Sequence, residues 1–146
     1  MPIHAEKRRL PYSPEQMFEL VADVEKYPEF LPWCVATRVR SRTSDGVVAD
    51  MVIGYKAFRE KFTSTARFDR PNMCIDVAYQ EGPSRFLNNH WVFERTSNGC
   101  AIDFYLDFEF RSNLLEKAIT VVFNKAVSRM VEAFERRARV LYRQSG

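Results

Sequence analysis

Apolar positions recur along this chain in two rhythms, and each change of rhythm marks an element. Ile3 to Leu10 predicts a first strand, ended by Pro11. Ser13-Pro14-Glu15-Gln16 then carries the signature of a helix start: a Ser with a Gln three residues on forms a capping box, and Pro14 sits at the first helical position. Met17, Phe18, Leu20, Val21 and Val24 follow at the spacing of a short amphipathic helix. The stretch Tyr27-Pro28-Glu29-Phe30-Leu31-Pro32-Trp33-Cys34 holds two prolines, so it predicts a bent connector with one further helical turn. From Val35 the period is two. Val35, Thr37 and Val39 alternate with Ala36, Arg38 and Arg40, Ser44-Asp45-Gly46 predicts a hairpin turn, and Val47 to Tyr55 is the return strand. Phe58 to Phe68 alternates again, with Phe58, Glu60, Phe62, Ser64, Ala66 and Phe68 on one face and Arg59, Lys61, Thr63, Thr65 and Arg67 on the other. Turns at Arg70-Pro71-Asn72, Glu81-Gly82-Pro83-Ser84 and Thr96 to Gly99 lead into three more strands. These are marked by Met73, Ile75, Val77 and Tyr79; by Leu87, Asn89, Trp91 and Phe93; and by Ile102, Phe104, Leu106, Phe108 and Phe110.

The last change of rhythm predicts a helix over 112–143. Leu115, Ile119, Val122, Phe123, Ala126, Val127, Met130, Phe134, Ala138 and Leu141 share one face, with no Gly or Pro between them. Ser112 or Asn113 supplies the N-cap, and Arg136, Arg137, Arg139 and Arg143 crowd the end that favours cations. Such a rod is ~45 Å long and needs a large apolar partner. Strands joined by short turns are antiparallel, and each has one apolar face and one wet face. The expected architecture is a single α+β domain over 1–146, a curved sheet with the terminal helix laid across it.

Composition narrows the class. At 46% hydrophobic and 28% charged residues, the chain reads as an ordinary folded protein, and its 12 Phe, 6 Tyr and 2 Trp are the feature that stands out. Three widely spaced cysteines and two distant histidines predict neither a disulfide framework nor a zinc site, which favours a reducing compartment. No stretch reaches the length of a membrane span, and strand-like sequence begins too early for a leader, so a cytoplasmic protein, peripheral to the inner membrane at most, is expected. Net charge is +3. Residues 112–146 hold seven basic and three acidic side chains against fifteen and sixteen in the remainder, so the excess falls on the last helix.

The connector Tyr27 to Cys34 resembles a motif of the coenzyme Q-binding branch of the START-like superfamily. Gly82-Pro83 followed by Leu87, Trp91 and Phe93 is similar to the same family, as is the tail from Leu106-Asp107-Phe108-Glu109-Phe110 through Phe123, Met130, Val131, Phe134, Arg137, Ala138 and Tyr142. Ser84 departs from the pattern, in which an aromatic follows Gly-Pro; Phe86 is the candidate to take its place. The resemblance spans the chain. It implies the helix-grip fold, a curved seven-stranded antiparallel sheet around a long C-terminal helix with a hydrophobic tunnel between them. It also implies a bound prenylated quinone such as ubiquinone, without a further cofactor, in support of respiratory electron transport or quinone biosynthesis. The branch includes RatA-like ribosome-association proteins and neighbours polyketide cyclases, so large-subunit binding and cyclase chemistry are the alternatives.

A quinone with an isoprenoid tail needs a long apolar groove, and each buried methylene contributes ~0.8 kcal/mol. The strands offer Phe58, Phe62, Trp91, Phe93, Phe104 and Leu106 to such a groove, and the helix offers Ile119, Phe123, Val127 and Met130. Two polar residues interrupt the apolar stripes. Glu60 either lies inward, and is then expected to be paired (Arg137 is one candidate), protonated, or near water in a cavity, or sits at a strand end in solvent. Asn89 either donates to a quinone carbonyl or satisfies a neighbouring strand. Phe30, Leu31 and Trp33, held by Pro28 and Pro32, form a lid or a membrane-touching tip beside the tunnel mouth, or else plain packing of the connector over the sheet. Lys125, Arg129, Arg136, Arg139 and Arg143 form a basic stripe on the helix, either a solvated face with Glu132–Arg136 and Glu135–Arg139 pairs or a contact for anionic lipid or ribosomal RNA. No Ser-His-Asp or Cys-His set or Gly-rich phosphate loop is legible, so no catalytic residue and no metal ligand is assigned.

Overall fold

The computed structural model describes residues 3–55, 58–81, 84–110 and 123–142. In chain order these form β1 (Ile3–Leu10), α1 (Pro14–Ala22), a 3-10 helix (Val24–Glu29), β2 (Cys34–Thr43), β3 (Gly46–Tyr55), β4 (Phe58–Asp69), β5 (Cys74–Glu81), β6 (Ser84–Thr96), β7 (Gly99–Phe110) and α2 (Phe123–Leu141). The part of the expected last helix over 112–122, with Ile119, lies outside the described residues, as does Arg143. No described helix is long and apolar enough to cross a membrane.

The start of α1 forms as its residues dictate. The Ser13 hydroxyl accepts from the Gln16 amide at 3.1 Å and the Gln16 side chain accepts from the Ser13 amide at 3.0 Å, which satisfies two otherwise orphaned donors. The helix buries Met17 and Phe18 completely. Phe18 meets Phe68 and Phe93 edge-on, with ring centroids 5.9 and 5.7 Å away. The connector takes Pro28 into the last turn of the six-residue 3-10 helix, which ends one residue later. Tyr27, buried beneath it, donates its hydroxyl to the Val21 carbonyl.

The seven strands make one antiparallel sheet in the order β1-β7-β6-β5-β4-β3-β2. β2 to β7 meander as expected. β1 pairs with β7, from Ile3 opposite Asp107 to Leu10 opposite Cys100, so the first and last strands are neighbours. Two register shifts in β2, at Cys34/Ala36 and Val39/Ser41, bend that edge. Gly99, the first residue of β7, has φ of 152° and lies so close to the end of β1 that a Cβ would sit 2.1 Å from the Leu10 carbonyl oxygen. Only glycine fits there.

α2 crosses the concave side and buries Val127, Val131, Phe134 and Ala138. The expectation that one face of every strand is apolar fails at β1. His4, Glu6 and Arg8 alternate toward the helix, and the helix answers with polar groups. His4 Nδ1 lies 3.0 Å from Asn124 Oδ1, and Arg8 reaches Glu135 at 3.3 Å and Glu132 at 3.7 Å. Burial would raise the Glu6 carboxyl, but hydrogen bonds from His4 and Arg8 outweigh it and hold Glu6 below the usual range. This polar seam leaves Glu132 and Glu135 engaged with β1. Glu135 also meets Arg139 at 3.5 Å, as expected, but Glu132 pairs with Arg8 rather than Arg136 because the strand brings the guanidinium within reach.

Candidate functional site

Between sheet and helix the core is not filled. A cavity of about 300 Å³ lies under α2, at the lower end of the range for small-molecule sites. Its sheet wall comes from the inward alternates of β3 to β7: Met51 and Ile53, Phe62 and Ser64, Val77, Leu87 and Trp91, Phe104 and Leu106. Its roof is Ala126, Val127, Met130, Val131 and Phe134 of α2, and one end is closed by Tyr27, Leu31 and Trp33. The void follows from residue sizes. Ala49, Ser64 and Ala66 sit at adjacent inward positions of β3 and β4, Ala126 faces them from the helix, and short side chains on both walls cannot meet.

Of the side chains anticipated for the groove, Phe62, Asn89, Trp91, Phe104, Leu106, Val127 and Met130 line the cavity. Phe93 does not. It is 2% exposed and packed between Phe18 and the stacked Trp91 ring, in the solid core below α1. Glu60 does not line it either, because at the far end of β4, opposite Ile53, it emerges into solvent. Arg137, its suggested partner, instead pairs with Glu29 at 2.8 Å and lies over the Phe30 ring. The side chains of Phe58 and Phe123 lie outside the described residues. Of the expected lid, Leu31 and Trp33 face the cavity, while Phe30 packs edge-on against Phe134 and Tyr27. Trp33 has φ of 66°, an uncommon conformation for a bulky residue, and its carbonyl is fixed by the Gly54 amide at 2.8 Å. Strain of this kind costs about 1–3 kcal/mol and is held in place by the surrounding structure.

Polar groups on the wall are few. Asn89 donates to the Tyr105 carbonyl and accepts from the Trp91 indole, each at 2.9 Å, so it satisfies the neighbouring strand. Ser64, which the alternation placed inward without a role, presents its hydroxyl to the cavity. Cys34, beside the lid, has its thiol pushed up to about 11 by burial and is not a nucleophile at neutral pH. Val77, Leu87 and Phe134 were legible on apolar stripes but gave no sign of bordering space, and Tyr27, Met51, Ile53 and Val131 border it without having been assigned a face. Residue size across two facing elements was the available signal, and it needs the register between them.

Outside the cavity, Lys125, Arg129, Arg136 and Arg139 are exposed along α2, interrupted by Glu132. Among the described residues no group of three or more His, Cys, Asp or Glu could hold a metal ion. His90 stands on the convex face beside Asp76 and Tyr105, away from the cavity.

The sequence matches the family described as polyketide cyclase / dehydrase and lipid transport over residues 10–135. A ribosome association toxin RatA from Rickettsia prowazekii is 37% identical over 133 residues, covering 89% of this chain and 91% of the relative. A mitochondrial coenzyme Q-binding protein from Drosophila melanogaster is 29% identical over 98% of this chain and 60% of its own length. Among solved structures, an 18 kDa protein from Caulobacter crescentus superposes with a TM-score of 0.79 at 35% identity, over 97% of this chain and 99% of that one. The Zhui aromatase/cyclase from Streptomyces reaches a TM-score of 0.83 at 14% identity, over 95% of each chain, a likeness of fold alone. Sheet, helix and the space between them are those of the START-like helix-grip, and the chain belongs to the polyketide cyclase / dehydrase and lipid transport family.

Proposed function

We propose that this chain is a non-enzymatic protein that associates with ribosomes. The observation that carries this is the likeness to relatives named for ribosome association, which align along nearly their whole length and at higher identity than the coenzyme Q-binding relative. The order of the two readings is therefore the reverse of the one the sequence motifs favoured. On the sequence reading, the contact runs through Lys125, Arg129, Arg136, Arg139 and Arg143, with the large subunit as partner. Sedimentation of purified protein with ribosomes over a salt series tests it. Co-sedimentation that weakens steeply as salt rises is expected, because released counterions drive polyanion binding. A protein that stays at the top of the gradient at low salt refutes it.

The cavity favours a second property held by the same domain, the binding of a prenylated quinone or similar lipid. Its described walls are mostly apolar. The Asn89 side chain is engaged by the Tyr105 carbonyl and the Trp91 indole, which supports Ser64 as the contact for a head group on this reading. Both tryptophans of the chain, Trp33 and Trp91, stand on the cavity wall, so the whole indole emission reports on it. Quenching on titration with a short-chain ubiquinone, and a prenylated quinone in organic extracts of protein from its own host, are expected. A clean extract together with unchanged emission removes the lipid reading and leaves ribosome association standing.

A further inference from the structure

By sequence alone the excess positive charge belongs to the last helix, and 3–111 looks nearly neutral. Folding divides that neutral part by sign. On the convex side of the sheet, register puts Arg38 opposite Asp50, and Gly54, Val52 and Gly46 opposite Arg59, Lys61 and Arg67. Because Phe62, Ser64 and Ala66 face the cavity, the alternates Arg59, Lys61 and Arg67 project the other way. With Arg38 and Arg40 they place five exposed cations on three adjacent strands. The carboxylate in their midst, Asp50, is 6% exposed and already engaged by Thr63 at 2.7 Å and Arg40 at 3.0 Å. Arg38, Arg59, Lys61 and Arg67 form no ion pair with a described residue. The Arg59 head lies flat over Gly54, where a Cβ would come within 3.5 Å of its Nε. Across the sheet, the same convex face carries Asp76, Glu94, Asp103 and Asp107 on β5 to β7, with Lys7 and Arg9 on the edge strand β1, where Lys7 lies 3.9 Å from Asp103.

We infer that the convex face of β2 to β4 is a docking surface for the phosphate backbone of RNA. Cations on one face of a strand recur about every 7 Å, and adjacent strands lie about 5 Å apart. That lattice is comparable to the separation of successive phosphates, and the sheet holds it rigid, so little backbone ordering is needed on binding. The carboxylates of β5 to β7 disfavour the same polyanion on those three strands. Among the described residues the exposed large hydrophobics are Ile3, Val35, Val92, Val140 and Leu141. None is aromatic, so the patch offers no platform for stacking bases, and contact is to phosphate rather than sequence. One valine at its rim is too little to enter a bilayer, which favours RNA over a membrane surface. The α2 stripe is the weaker competitor, because Glu132 and Glu135 interleave its cations. That the RNA is ribosomal rests on the ribosome association proposed above.

The test compares two variants of the full chain. One combines Arg38→Gln, Arg59→Gln, Lys61→Gln and Arg67→Gln, leaving Arg40, Asp50 and Thr63 intact. The other combines Lys125→Gln, Arg129→Gln, Arg136→Gln and Arg139→Gln. Fluorescence anisotropy with a short labelled RNA duplex is expected to show wild-type binding whose salt slope drops by up to about 3 in the sheet variant, at roughly 0.7–0.9 per phosphate contact, while the helix variant stays close to wild type. If the quadruple sheet variant fails to fold, Lys61→Gln with Arg67→Gln is expected to remove about half of that slope. RNA binding lost in the helix variant and kept in the sheet variant overturns the inference. So does binding to phosphatidylglycerol vesicles through the sheet cations without binding to RNA. Ribosome sedimentation separates the two proposals. Wild type and sheet variant co-sedimenting alike refutes this surface and leaves ribosome association intact. Duplex binding through the sheet without ribosome co-sedimentation keeps the surface and removes the ribosome as its partner.

Discussion

The two faces of β3 and β4 are built from alternate residues of the same two strands, yet they obey different constraints. Inward, Ala49, Met51, Ile53, Phe62, Ser64 and Ala66 are apolar or small, and the short ones leave room above them. Outward, beside Val48 and Val52, Asp50, Arg59, Lys61, Thr63 and Arg67 are polar or charged, and the carboxylate in their midst is covered by its partners. A packed protein interior penalises both overfilling and voids, whereas a solvated face is indifferent to volume and responds to charge. Space has been left where packing is usually tight, and charge has been concentrated where it is usually mixed. The face proposed to hold a ligand and the face proposed to meet a polyanion are therefore separated by the thickness of the sheet, and changes to one should leave the other untouched.

The largest effect is expected where the concave side is solid. Phe18→Ala removes a fully buried ring wedged between Phe68 and Phe93 and should cost about 3–5 kcal/mol in denaturant unfolding. A loss under about 1 kcal/mol would mean that the core below α1 is as loose as the cavity.

Val127→Phe probes the empty part of the same side. In a filled core the added ring overpacks and costs about 1–3 kcal/mol. Under α2 it enters open space, so the midpoint should stay near wild type while quenching of Trp33 and Trp91 by a short-chain quinone is lost. A large fall in midpoint would show that the space closes in solution. RNA binding by this variant should be unchanged, and a change in it would break the separation of the two faces.

Asp50→Asn tests the convex side by pH. Hydrogen bonds from Thr63 outweigh burial and, with Arg40, hold the Asp50 carboxyl below its ordinary range. A carboxyl whose pKa is lower in the folded than in the unfolded state contributes stability that is full above the unfolded value of ~3.9 and is lost as pH falls through the folded one. The variant should therefore melt below wild type at pH 7, with the gap closing as the pH falls below about 4. A gap that is constant with pH would mean that packing, not charge, holds this site.

The smallest effect is kinetic. Burial pushes the Cys34 and Cys100 thiols up to about 11, and Cys74, half-buried at the start of β5, is the accessible one. Mass analysis after iodoacetamide at pH 8 should find Cys74 modified first and the other two only on unfolding. Early labelling of Cys34 would indicate that the Leu31–Trp33 lid opens readily.

Local chemistry made much of this fold legible. Ser13 and Gln16 announced α1, alternation announced β2 to β7, and the inward or outward sense of most residues followed from counting by twos. Glu60 shows where that count stops informing. Its parity is correct for the inward face, but parity does not say where along a strand the cavity ends. Phe93 shows a second limit, since an inward aromatic can join a solid core or border a void depending on what lies across from it. Arg137 was matched to the wrong carboxylate because sequence gives its meridian on the helix but not the position of Glu29.

By itself the sequence determined most of the elements, their antiparallel order and the two chemistries of most strands, β1 excepted, because those follow from short-range sterics and the burial of apolar stripes. Tertiary structure alone decided three things: that β1 closes beside β7 and meets α2 through a polar seam, that small residues on two walls leave a cavity, and that cations from separate strands converge on one half of the convex face. Each depends on the register between segments distant in the chain. Register is set by the sum of all their contacts, and no single stretch of residues carries that sum.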